Sequence, residues 1–413
     1  MGTVSQVVTG IPDAVRAALL AADRPRCAYV YDREAARAQA RAVRAALPPG
    51  SMLLYAVKAN GHPDVLDALA GVVDGFDVAS GGELALARIA RAGMALRGAV
   101  GSTPGGPADE IHLGGPGKTD AELAAAVEAE ATVNVESAFE LHRLAVAAET
   151  AGVRVRATLR VNRYHAAPTG SHTMTGVPTP FGIDEESLGE VVQQAWQHPS
   201  VRLMGFSLHA VSNSLNASEY ARFVADALAW SVAAADRYGV PLRIVNVGGG
   251  LGIDYTSTSD RLDIAAFGRA LSGLAVPDGT RLVFEPGRYL VADAGWYAAE
   301  VLDIKRNHGR WFAVLRGGTH HFRLPAAWGY SHPFTVLPVD EWPHPYARPE
   351  VRDVAVDAVG ELCTPRDVLT RDQPVDRLRV GDLLVFARAG AYGWDISHHD
   401  FLRHEPPAFL VIG

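Results

Sequence analysis

One lysine stands among aromatic and small apolar residues in YAVKAN, residues 55–60. Lysine is almost never fully buried unless something pairs with it. A lysine drawn out of water has a depressed pKa and becomes a nucleophile towards carbonyl groups; a lysine snorkelling from a strand end is the plainer alternative. Further along the chain lie Ser80, Arg160 with Asn162, His209 with Ser212, the glycine run GGGLG at 248–252, and EPGR at 285–288. Successive N–H groups in a glycine run can cradle an anion, although a tight turn would also explain the run. Arg288 adds a fixed positive charge beside Gly287, a combination that suits phosphate; the alternative is an arginine paired with a nearby acid. Glu285 places a carboxylate in the same stretch.

These residues need a scaffold that brings distant strand ends together. From residue 34 onwards, helical patterns rich in Ala, Arg and Leu alternate with short apolar runs. MLLYAV, FDVAS, GAVGS, ATVNV, RATLRVN, LMGFSLHAV, LRIVNVGG and TRLVFEPG read as strands with helices between them. Such alternation predicts a parallel sheet, and eight units predict a (β/α)8 TIM barrel; an open doubly wound sheet is the runner-up. The barrel is favoured because polar and glycine-rich signals follow so many strands, and a barrel gathers those ends on one face. Beyond 296 helical periodicity fades into strand-like pieces separated by proline- and glycine-rich turns, which predicts a C-terminal β-sandwich or β-barrel domain. The expected division is 34–296 for the barrel, with 1–33 and 297–413 forming the β-domain.

Composition narrows the function. The chain has 413 residues, 48% hydrophobic and 20% charged, as a globular protein of two or three domains would. A net charge of −8 with interspersed signs argues against nucleic acid as a partner. No apolar run approaches the ~18 residues of a membrane helix, and MGTVSQVVTGIPDAV lacks the marks of a signal peptide. Two distant cysteines, Cys27 and Cys363, suggest no disulfide framework, so a cytoplasmic location is expected.

A lysine, an anion cradle and the carboxylate of Glu285 together suggest pyridoxal 5'-phosphate: the lysine forms a Schiff base and the carboxylate pairs with the ring nitrogen. YAVKAN resembles the cofactor-lysine motif of the fold type III, alanine-racemase-like pyridoxal-phosphate enzymes. VNVGGGLGIDY, FEPGRYLVADAG, GELCTPRDVL and AGAY resemble motifs of its decarboxylase branch, which includes diaminopimelate, ornithine and arginine decarboxylases; FDVASGGEL and PFGI fit as well. The resemblance implies roles. Lys58 is the Schiff-base lysine, and His209 stacks on the cofactor ring. Ser212, Gly250, Gly287, Arg288 and Tyr392 hold the phosphate, and Glu285 pairs with the ring nitrogen. Cys363, from the partner subunit of a homodimer with shared sites, donates the proton after CO2 leaves. Taken singly, His209 would read as a core histidine and Cys363 as a small buried hydrophobe. A glutamate at the ring nitrogen favours decarboxylation over racemisation, because the racemases of this superfamily place an arginine there. The β-domain argues against the barrel-only, non-catalytic cofactor-carrying proteins.

The departures from the family concern the substrate. Members acting on diamino acids follow the cysteine with Glu or Asp; here Thr364 follows Cys363, and Glu361 replaces the usual proline. In RGGTHHFRLP, Arg316 replaces the family's aspartate. The tail AGAYGWDISHHDFLRHEPP is histidine-rich, and GSHTMTGVPTP is inserted before PFGI as a flexible loop over the site. The GAYGW…SHH tail and the cysteine loop resemble the siderophore-biosynthesis decarboxylases, which implies a citrate-linked diamino acid as substrate. His320, His321, His398 and His399, with Arg160, Arg323 and Thr364, are then candidate substrate contacts. Diaminopimelate or another basic amino acid is the alternative. Metal is not expected: adjacent histidines of a strand face opposite ways, and no cysteine–histidine spacing supports zinc.

Overall fold

The structure, a computed structural model, describes residues 10–96, 110–164, 168–257 and 260–413. The chain divides into two compact units: Arg37–Ile253 with Arg261–Leu290, and Met1–Ala36 with Asp254–Asp260 and Val291–Gly413.

The first unit is a closed barrel of eight parallel strands: β1 (Met52–Ala56), β2 (Gly75–Val78), β3 (Glu110–Leu113), β4 (Thr132–Val135), β5 (Val155–Asn162), β6 (Val201–Ser207), β7 (Ile244–Gly248) and β8 (Arg281–Phe284). Each pairs with its sequence neighbour, and β8 returns to β1 through Val283↔Met52 and Phe284↔Leu53. The strands are short and buried on both faces, so they read as continuous apolar runs rather than as alternation. Helices lie between the strands, as expected, and their starts have local causes. Thr119 and Glu122 form a reciprocal capping box, and Ser137, Asn216 and Asp263 each accept an N-terminal amide. The strand expected at GAVGS, residues 98–102, lies outside the described residues. The third barrel strand is Glu110–Leu113, a stretch with no strand signature of its own in the sequence.

Among the described residues the second unit holds eight strands. Thr335–Leu337, Leu383–Phe386, Gly295–Asn307, Arg310–Leu315, Glu350–Val359 and Val368–Arg379 follow one another across the sheet. Cys27–Asp32 pairs with Gly295–Asn307 on one side and with Ala408–Ile412 on the other. The helix Asp13–Ala21 places Val15 and Leu19 against Ala28, Val30, Ala298 and Leu383. No helix among the described residues is long and apolar enough to cross a membrane.

A buried ion pair fixes the loop after β3. Lys118 Nζ lies 2.7 Å from Glu140 Oε1, with both side chains buried, and donates to the carbonyls of Gly115 and Asn134. Burial raises the Glu140 pKa against the pull of Lys118. Lys118→Met should therefore strand a buried carboxylate and cost about 3–5 kcal/mol. In urea denaturation the double variant Lys118→Met/Glu140→Leu should recover most of that loss.

Candidate active site

At the end of β1 the chain turns through a 3-10 helix, Val57–Ala59, closed by Asn60 N–H on the Val57 carbonyl at 3.0 Å. Val57 and Ala59 face inward and are buried, while the turn carries Lys58 outward with its side chain 48% exposed. Its Nζ sits 2.9 Å from Asp77 Oδ2 on β2. The lysine thus has both an exit to solvent and a partner. The EPGR loop after β8 lies directly against this turn: the Pro286 carbonyl accepts from Ala56 N at 3.4 Å, and a Cβ on Gly287 would come within 2.8 Å of the Ala59 Cβ.

Glu285 is the inner pole of the site. Its Oε1 accepts from Asn246 Nδ2 at 2.6 Å and from His112 Nδ1 at 3.3 Å. Burial works to raise its pKa, but the His112 and Asn246 contacts and the Lys58 charge outweigh that, so the net shift is downward. Asp77 shows the opposite balance. Burial, reinforced by the charge of Glu285, pushes it up to about 6 despite Lys58.

His209 follows β6 and lies against the glycine run. Gly249 N–H donates to its Nδ1 at 3.3 Å, which leaves the ring proton on Nε2. Burial, then Arg160 and Lys58, lower its pKa to about 3, so the ring is neutral at ordinary pH. Gly248 and Gly250 have φ of +73° and +93°, in the left-handed region. A Cβ on Gly248 would collide with His209, and one on Gly250 with the Tyr220 ring, whose hydroxyl donates to the Gly249 carbonyl. The run is therefore glycine both for its backbone angles and for lack of space, and it leaves bare backbone beside His209.

Several expected residues have other engagements. Arg160 Nη1 pairs with Glu136 Oε1 at 3.0 Å, and its guanidinium lies 4.8 Å from the Phe181 ring centre. Glu136 also accepts from the amides of Gly115 and Gly182, so Arg160 belongs to a network joining three loops. Ser212 pairs with residue 172 in a short antiparallel ladder, and its carbonyl accepts from Ser171 N at 2.8 Å. The 170–180 insertion, expected as a flexible loop, is fastened by that ladder and by Asn162, which bonds Thr175, Gly176 and Val177. Arg288 is buried at the start of the short helix Arg288–Val291.

The remaining expected residues belong to the β-unit. Cys363 is an exposed free thiol and Thr364 is half-buried on the loop before Asp367. That loop hangs on one carboxylate: Asp367 accepts from Thr319 N at 2.6 Å and Leu362 N at 2.9 Å. His320 and His321 are fully buried with ring centres 3.9 Å apart, and Glu361, beside them, binds Arg316 at 2.5 Å. Burial, then His320 and Arg316, lower the His321 pKa to about 3. His399 stacks on Trp394 at 3.5 Å and bonds its carbonyl. His398 stands 3.5 Å from Arg323, which is exposed. Tyr392 adopts φ +54° in the loop after Gly390, half-buried, with its ring 6.3 Å from Trp328.

Asp77, His112, Asn246 and Glu136 were not singled out in the sequence. Their only signal is a polar residue inside, or just after, a short apolar strand.

Comparison with known proteins covers nearly the whole chain. The family model described as "Pyridoxal-dependent decarboxylase, pyridoxal binding domain" matches residues 33–292. A Staphylococcus aureus protein, 2-[(L-alanin-3-ylcarbamoyl)methyl]-2-hydroxybutanedioate decarboxylase, is 38% identical over 95% of this chain and 96% of its own length. The L-glutamyl-[BtrI acyl-carrier protein] decarboxylase of Niallia circulans is 31% identical over 93% and 88%. Among solved structures, diaminopimelate decarboxylase from Helicobacter pylori complexed with L-lysine superposes with a TM-score of 0.78 at 25% identity, covering 94% of this chain and 92% of that one.

The position of Asp77 has a pH signature. Its folded pKa, about 6, lies above the ordinary value of an unfolded aspartate, about 3.9. Its contribution to stability is therefore present in full below about pH 4 and is lost as pH rises through 6. Asp77→Asn removes that loss. Relative to wild type, the variant should gain on the order of 1–2 kcal/mol between pH 5 and pH 8, read from urea midpoints of protein freed of small molecules. An equal difference at both pH values would mean that the charge on Asp77 carries no penalty.

Proposed function

Because the chain belongs to the pyridoxal-dependent decarboxylases, we propose that Lys58, His209 and Glu285 are the groups through which it binds its cofactor and decarboxylates an amino acid with a polar or anionic far end. The protein is an amino-acid decarboxylase and its cofactor is pyridoxal 5'-phosphate. One observation carries the assignment of residues. A primary amine, a neutral flat ring, an ionised buried carboxylate and a stretch of bare backbone at 248–250 all belong to the ends of β1, β6, β7 and β8. That donor set fits the group: an amine for its aldehyde, an imidazole face for its ring, a carboxylate for its ring nitrogen and, with the Gly248 and Gly249 amides engaged by Asn246 and His209, the Gly250 amide for its phosphate.

When bound, the cofactor takes up the electron pair left on Cα as CO2 departs. Lys58 holds the cofactor covalently, and Asp77 receives the lysine's ammonium whenever the amine is released. Glu285, kept ionised, holds a proton on the ring nitrogen. His209, neutral across the working pH range, gives a stacking face without adding charge. Gly250, Gly287, Arg288, Ser212 and Tyr392 are the proposed phosphate contacts. Cys363, exposed on its loop, is the proposed proton donor to Cα, supplied by the partner subunit of a homodimer. An exposed free thiol suits a reducing cytoplasm.

The substrate reading rests on Thr364. A neutral side chain after the cysteine gives no charge with which to hold a distal ammonium, whereas Arg323 and His398 stand at the surface of the same unit. The name of the S. aureus relative describes an L-alanine unit carried on a hydroxylated dicarboxylate, and that of the N. circulans relative a glutamyl group. We place this chain with them, acting on a citrate-linked diamino acid in siderophore assembly. The alternative, diaminopimelate, is the substrate named for relatives from Aquifex aeolicus and Pseudomonas fluorescens, 28% and 33% identical to this chain.

The direct test is CO2 release across a panel holding citryl-diaminopropionate, diaminopimelate, ornithine and glutamate. The citryl adduct should exceed the diamino acids in kcat/KM by at least about a hundredfold, the worth of two charged contacts. Efficient turnover of diaminopimelate by wild type would overturn the substrate reading. Thr364→Glu should shift preference towards diamino acids by about tenfold. Lys58→Ala should abolish the visible absorbance of the reconstituted enzyme; a variant that keeps that absorbance would remove Lys58 from its role.

A further inference from the structure

Deeper in the barrel, His112 has a position that the proposed roles leave unexplained. It lies on β3 and is fully buried. Its strand neighbours in register are Asp77 on β2 and Thr132 on β4, so the three side chains point to the same side of the sheet. The interior of such a barrel is ordinarily filled by bulky branched apolar residues. Here the imidazole reaches Glu285, 173 positions away in sequence, and its Nδ1 stops 3.3 Å from Oε1.

The direction of this hydrogen bond follows from chemistry. An ionised carboxylate can only accept, so Nδ1 carries the hydrogen. Asn246 is fixed in the same sense: its Oδ1 accepts from Gly248 N at 2.8 Å, which leaves Nδ2 to donate to Glu285. Both donors converge on Oε1, so protonating that oxygen means giving up a hydrogen bond, and Oε2 remains for a further partner. The other nitrogen of His112, Nε2, is buried without a hydrogen-bond partner among the described residues. A histidine held by packing alone gains nothing from an unsatisfied buried nitrogen. One whose Nδ1 must face Glu285 has no choice of where Nε2 points.

We propose that His112 is a positioning residue for the reaction: its Nδ1–H fixes the orientation and charge of Glu285, and through Glu285 it keeps the proton on the cofactor's ring nitrogen. This rests on the reading of Glu285 as the ring-nitrogen partner. His112 does not touch the reacting atoms. It acts on how completely the cofactor draws electrons from Cα, and hence on kcat rather than on substrate binding.

The comparison uses His112→Leu and His112→Asn in the reconstituted holoenzyme. The two side chains have the same branching, and only asparagine can return a donor near the position of Nδ1. With cofactor labelled with 15N in the ring, the NMR shift of that nitrogen reports its protonation directly. The leucine variant should move the signal towards the unprotonated value and lower kcat by about ten- to a hundredfold, the share of one hydrogen bond to a charged group. Its KM should stay within about threefold, and asparagine should restore both quantities to near wild type. A wild-type nitrogen signal in the leucine variant would overturn the proposal. So would an equal loss of kcat in both variants without movement of the signal, since that is the mark of a packing role. If leucine prevents folding, His112→Met carries the same comparison. If wild type releases no CO2 from any amino acid, the functional reading fails instead, and the nitrogen signal still decides the role of His112.

Discussion

A carboxylate kept ionised inside the barrel is the constraint on which the rest of the site depends. Water is the natural solvent of that charge, and the barrel replaces it with two fixed donors, Asn246 and His112, both on Oε1. The cost appears at Asp77. Burial, reinforced by the charge of Glu285, pushes Asp77 up to about 6. Lys58 stands by Asp77 and, at longer range, acts on Glu285, so its single positive charge is shared between them. Environments that drive two carboxylates apart in this way are characteristic of sites built for proton and charge management.

The parts of this arrangement differ in how far they could be read from the sequence. The barrel was legible because parallel strands buried on both faces make unbroken apolar runs, and the helices between them carry strong caps. Lys58, Glu285 and the glycine run were legible because each ends a strand and stands out chemically from it. Asp77, His112 and Asn246 lie within strands of four or five residues, where no alternation remains to show which face a polar side chain takes. His112 was further hidden because its strand, Glu110–Leu113, was not recognised as one. Arg160 was visible, but its partner Glu136 was not. Their ion pair joins the ends of neighbouring strands, and only the register of β4 against β5 brings them together.

The basic residues of the β-unit show the complementary case. In sequence, paired histidines near arginines read as a surface prepared for carboxylates. In the folded unit their nearest partners are local: His399 lies flat on Trp394, His321 packs on His320 and Cys27, and Arg316 is held by Glu361. The residues that keep an open face are fewer, and Arg323 and Thr364 are among them. A count of charges along a chain therefore overstates recognition wherever the fold turns those charges on one another.

The cysteine loop carries a consequence of another kind. Asp367 closes it with hydrogen bonds to Thr319 and Leu362, and Gly318 and Gly360 press so closely on that carboxylate that neither can take a side chain without displacing it. A loop built this way tolerates neither insertion nor deletion between Gly360 and Asp367. Within that backbone the side chain at position 364 can be exchanged, and the charge of the loop altered, without touching the clasp.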